Sequence, residues 1–165
     1  MPCYAILLRI LLALPVWHQD ADLSPDARAE LYRPVAASIC RVGKTPQEQA
    51  WLAAQAYSET KLAKAVLEGR CADMPAGSRC DEGRATGVYQ VHGHCRNAWT
   101  APTHDERLDA GAKCALRTAK YGVTMCGLAG SFGFQTGRRV CAGDWIGPRV
   151  RLYRLILGRM LDAKP

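Results

Sequence analysis

Between Ala50 and Tyr57 the chain reads Ala-Trp-Leu-Ala-Ala-Gln-Ala-Tyr, apolar nearly all the way round a helix, and it then runs directly into a carboxylate, Glu59. A helix without a polar face is usually a central, buried one. A carboxylate at its end is costly unless it is protonated or hydrogen-bonded. Burial favours the protonated form, which is what a general acid working near neutral pH needs. Glu59 falls on the same face as Leu52 and Ala56, seven and three positions earlier, so its side chain is expected at the edge of the core. The competing reading is a glutamate that turns outward and pairs with Lys61 or Lys64, since structural ion pairs perturb carboxylates too.

A second cluster of reactive types, His92, His94 and Cys95 with Cys71 and Cys80 upstream, has ligand chemistry but matches no standard zinc spacing. The expectation is no metal and no cofactor, with Cys71 and Cys80 joined as a local disulfide. Arg138, Arg139, Arg149, Arg151 and Arg154 either hold an anionic ligand or lie on solvated faces.

The elements that must position these groups are mostly helical. Thr45-Pro46-Gln47-Glu48 is a capping box with proline just inside it, and it starts the helix that leads to Glu59. Ser24-Pro25 starts an earlier helix through Leu31, Val35 and Ile39, which Pro34 should kink or shorten and Gly43 should stop. Residues 68–84 read as a loop with room for a short hairpin, and Val88 to Val91 as a brief strand or an extended segment. Asp105 to Tyr121 is amphipathic, with Gly122 as its stop; Met125 to Ser131 is a short apolar helix, and Trp145 to Leu161 is the last one. The predicted class is mainly α, one domain, with a short irregular or β insertion after the helix that carries Glu59.

Eight cysteines, none in a C-x-x-C pair, point to disulfides and an oxidising compartment. Tyr4 to Trp17 has the length of a signal-peptide core and is too short for a comfortable membrane span. Arg9 within it keeps a retained N-terminal helix open as the alternative. Residues 1–22 are therefore set apart as a signal-like segment and linker, and 23–165 as the folded domain. A net charge of +7 favours anionic partners. The chain has no helix-turn-helix, zinc-finger or RNA-motif pattern, so nucleic acid is not expected among them.

The segment from Ala56 to Val66 resembles the helix-end signature of the goose-type lysozyme and lytic transglycosylase superfamily, a Glu followed by Ser or Thr (here Glu59-Thr60) and then a bulky apolar residue. About 30 residues on, Gly87-Val88-Tyr89-Gln90 is similar to the family's Gly-x-x-Gln motif, which lines the sugar cleft. Leu128-Ala129-Gly130-Ser131-Phe132 stands where many members have Leu-Ala-x-Tyr-Asn; the Tyr-Asn pair is absent, so no contacts are carried over there. The resemblance implies a lysozyme-like domain that cleaves peptidoglycan strands at the MurNAc–GlcNAc β-1,4 bond, with Glu59 as general acid/base. It implies substrate contacts from Thr60, Gly87, Tyr89 and Gln90.

Asp81 is placed like an aspartate of the goose-type lysozymes, nine positions before Gln90. Inverting glycosidases need such a base, with the carboxyls about 6.5–9.5 Å apart. Alternatively Asp81 pairs with Arg79 or Arg84, and Glu59 works alone while the MurNAc 6-hydroxyl attacks to leave an anhydro sugar. The implied setting is secreted, periplasmic or envelope-located, including phage-delivered, for a monomer with no stable membrane span. The rival reading is a non-catalytic lysozyme-like module that binds peptidoglycan or a partner.

Overall fold

The computed structural model describes residues 2–70, 80, 84–134 and 140–163. Asp81, Cys71, Arg79, Arg138 and Arg139 lie outside the described residues. The chain is mainly helical, in the order α1 (Cys3–Leu12), α2 (Pro25–Val42), α3 (Pro46–Thr60), α4 (Lys64–Leu67), β1 (Ala85–Thr86), β2 (Val91–His92), α5 (Arg96–Thr100), α6 (His104–Gly133) and α7 (Ile146–Asp162). One antiparallel pair forms the small sheet, with Ala85 opposite His92 and Thr86 opposite Val91. Among the described residues no helix is long and apolar enough to cross a membrane.

The centre of the molecule is α3. Every residue from Ala50 to Tyr57 is buried, as the absence of a polar face demands. It packs chiefly against α7, and also against α2 and α6. Thr45 caps it by accepting the Glu48 amide, and Glu48 in turn accepts the Lys44 amide at 2.7 Å. One core cluster joins Leu7 of α1, Ile39 of α2, Leu52 of α3, Ala115 and Phe132 of α6 and Ile156 of α7.

Residues 2–22 do not stand apart from this core. Leu7, Ile10 and Leu11 are buried, and Cys3 is disulfide-bonded to Cys40 of α2. The apolar run thus packs as an integral helix of the domain, and the boundary drawn at 22/23 separates no packing unit.

Three other details depart from the sequence reading. Pro34 does not cut α2, which runs on to Val42. Proline in a helix interior costs about 3 kcal/mol; burial of Val35 and Ile39, each worth about 1.5–3 kcal/mol, offsets it. Gly122 is no stop. It lies inside α6, which turns sharply at Cys126 and Gly127 so that the backbones of Gly122 and Gly130 meet with no room for a Cβ on either. Val88 to Gln90, expected in a strand, form with Gly87 the turn of the β1–β2 hairpin, and only Val91 is in a strand.

Cys95–Cys114 ties the start of α5 to α6, and Cys126–Cys141 bridges the turn in α6 to the segment before α7. Cys80 is also disulfide-bonded. The pairs fit the disulfide framework expected from composition.

Candidate functional site

The helix that carries Glu59 ends abruptly one residue later. Lys61 and Leu62 both take left-handed backbone conformations, at φ 52° and 55°, which is costly for residues with a Cβ and is found where surrounding structure enforces it. The Lys61 amide donates to Tyr57 O at 2.8 Å. The Thr60 hydroxyl donates to Ala56 O at 3.0 Å and accepts the Leu62 amide at 3.2 Å. Thr60 is only 5% exposed. Its hydroxyl therefore closes the helix end, and a direct glycan contact is not what this geometry offers.

Glu59 meets neither of the lysines considered as its partner. Gln55, one turn earlier and fully buried, donates from Nε2 to Glu59 Oε1 at 2.7 Å. Arg149, from the first turn of α7, donates from Nη1 to the same oxygen at 2.5 Å. The same nitrogen reaches Gln55 Oε1 at 3.5 Å, closing a triangle. The side chains of Arg149 and Glu59 are 15% and 18% exposed. Both donors converge on Oε1; Oε2 receives none among the described residues. The Arg149 guanidinium rests on the ring of Trp145 at 4.8 Å, one helical turn earlier.

Lys61 completes the charge cluster. Its ammonium lies 4.5 Å from the centre of the Tyr57 ring. Burial pushes the Lys61 ammonium below its ordinary pKa, and the charge of Arg149 pushes the same way against the opposing pull of Glu59. The site thus carries two cations around one carboxylate. Lys64 is directed elsewhere, toward Glu68, and its amide donates to Asp20 Oδ2 at 2.7 Å.

The second motif forms a tight turn. Gly87 and Gln90 both have positive φ, 65° and 47°, and the Gln90 amide donates to Gly87 O at 3.1 Å. The Gln90 carboxamide closes the same turn, donating to Gly87 O at 2.8 Å with Cys80 Sγ at 3.5 Å. Tyr89 is 2% exposed, its hydroxyl has no hydrogen-bond partner among the described residues, and burial pushes that hydroxyl above its ordinary pKa. Gly87 and Tyr89 line a cavity of about 110 Å3 with Thr86, Glu68, His104 and Arg107. No hydrogen bond or ion pair joins Glu59 to this hairpin among the described residues.

Of the residues predicted from sequence, Glu59 and Thr60 share one helix end, and Gly87, Tyr89 and Gln90 share one turn. Asp81, the candidate second carboxylate, lies outside the described residues. The ligand atoms of His94, Cys95 and Cys114 lie within 4.8 Å of one another, with both sulfurs committed to the Cys95–Cys114 bridge. The residue that sequence reasoning did not place is Arg149, considered only as one of several basic residues near α7. Its one signal was Trp145 four positions earlier, an aromatic–cation pair at helical spacing. No family model, curated protein or solved structure matches the chain.

Proposed function

We propose that the protein is a lysozyme-like enzyme that cleaves peptidoglycan glycan strands at the MurNAc–GlcNAc β-1,4 bond, as a lytic transglycosylase or a muramidase. The observation that carries the reading is Glu59: a carboxylate at the end of a central buried helix, partly exposed, fixed through Oε1, with no hydrogen bond to Oε2 among the described residues. Such a carboxyl leaves one oxygen to meet a glycosidic oxygen while the other is held. The Glu59-Thr60 and Gly87-x-x-Gln90 pattern adds the resemblance to the goose-type and transglycosylase superfamily. The basic surface suits an anionic wall polymer, and the disulfides suit an envelope or extracellular setting.

In this reading Glu59 protonates the leaving oxygen and then acts as base, either toward the MurNAc 6-hydroxyl or toward a water that Asp81 orients. The Arg149 ion pair gives the non-catalytic module a specific observation in its favour, because a paired carboxylate also has a structural reason to exist. Glu59→Gln separates the two. It keeps size and hydrogen-bonding capacity and removes the transferable proton, so fragments released from purified sacculi should fall by about 10²–10⁴-fold. Mass spectrometry of those fragments assigns reducing or anhydro ends. Undiminished release by the folded variant would end the assignment of Glu59.

A further inference from the structure

We propose that Arg149 is a substrate-operated counter-ion: a carboxylate on the incoming strand draws the guanidinium off Glu59 Oε1, so that the Glu59 carboxylate can take up a proton from solvent and pass it to the glycosidic oxygen, and the enzyme is restricted to anionic strands. The inference rests on the reading of Glu59 as the acid/base and adds the charge of the substrate.

Three observations support it. First, a guanidinium has five N–H donors in a planar fork, and here only Nη1 is bonded; Nε and Nη2 make no hydrogen bond among the described residues. An open fork edge on a partly exposed arginine matches a carboxylate in two-pronged geometry. Second, the Trp145 ring supports one face of the guanidinium and leaves its edges available, so the group is held where a ligand can meet it. Third, Lys61 gives the cluster an excess positive charge once Arg149 has neutralised Glu59. That excess attracts an anion and would gain nothing from a neutral sugar. Sugar hydroxyls are weaker acceptors than the carboxylate that Arg149 already holds, whereas a second carboxylate competes on equal terms. Gln55 keeps its bond to Oε1 throughout, so Glu59 stays oriented when Arg149 leaves.

The test compares two strands of equal length: GlcNAc–MurNAc oligomers with free lactyl carboxylates, and neutral chito-oligosaccharides. Wild type should favour the anionic strand in kcat/KM. Arg149→Gln should lower kcat/KM for that strand by about 10- to 100-fold, the range expected for a charge-assisted hydrogen bond, and raise activity on the neutral one, because Glu59 is then free without an anion. Arg149→Lys should restore part of the preference, and far-UV circular dichroism checks that each variant is folded. An equal loss on both strands, or an unchanged preference, overturns the inference. Calorimetric binding of both strands to Glu59→Gln, with and without Arg149→Gln, separates it from the proposed activity. Anionic-strand binding that depends on Arg149 supports it even where wild type cleaves nothing. Equal binding, or none, overturns it.

Discussion

Ser131→Ala should destabilise the protein well beyond what a lost hydroxyl suggests. The Trp51 indole donates to Ser131 Oγ at 2.8 Å, and that hydroxyl donates onward to Leu128 O at 2.6 Å. Both residues are buried, at 4% and 1% exposed, so no water replaces the hydroxyl. Stranding a buried donor costs about 1–3 kcal/mol. For a domain of this size each kcal/mol moves the midpoint by about 2–4 °C, so a central loss of about 2 kcal/mol means about 4–8 °C. Trp51→Phe removes the donor itself and leaves the ring near Phe132, which Trp51 stacks on at 5.4 Å, but it opens space in the core. The double variant should be less destabilised than the sum of the two, by about 0.5–3 kcal/mol, because the stranded donor is gone. Thermal unfolding followed by far-UV circular dichroism reads all three. A Ser131→Ala midpoint equal to that of wild type would refute the claim that this bond ties α3 to the returning half of α6.

Other outcomes follow from the same coordinates. Burial works most strongly against the charge on Asp109, but the Arg41 hydrogen bonds at 3.0 and 3.1 Å, the Ser38 hydroxyl and the charges of Arg41 and Lys113 together outweigh it and hold the carboxyl below its ordinary range. Lys120 and the Lys44 amide do the same for Glu48. Both folded values lie below the unfolded ones near 4, so this stability is complete above about pH 5 and is lost as pH falls through the depressed values. Asp109→Asn should flatten part of that acid limb in urea titrations, and a full limb in the variant would remove Asp109 from the account. Thr60→Val should cost about 1 kcal/mol through the loss of its two local bonds and leave KM unchanged; a raised KM with intact stability would restore Thr60 as a substrate contact. Replacing Cys3 and Cys40 together by serine should lower stability by about 2–4 kcal/mol, read as a shifted urea midpoint. An unmoved midpoint would show that α1 is held by packing alone.

What the sequence made legible was local. Ser24-Pro25 and Thr45-Pro46 start α2 and α3 where the side-chain caps are found, because a cap is decided within four residues. The same logic was available at Thr103 and Glu106, a full capping box that opens α6 at His104, one position before the expected start at Asp105. Gly122 misled because a glycine at a close backbone crossing and a glycine at a helix stop look alike until the partner strand of chain is known. Arg149 could not be assigned to Glu59 because 90 residues separate them and the pairing depends on how α7 crosses α3. The Glu59 position itself followed from burial periodicity, and its counter-ion did not.

The two left-handed residues after Thr60 have a consequence for how this chain can vary. Because the corner is set by Lys61, Leu62 and the Thr60 hydroxyl, the carboxylate takes its position from α3 and α7, and among the described residues α4 makes no hydrogen bond to it. Charge changes at Lys64 or Glu68 should therefore leave Glu59 in place. Variation on the exposed side of α4 should be tolerated, with the corner acting as a break in mechanical continuity between the reactive group and the short helix after it.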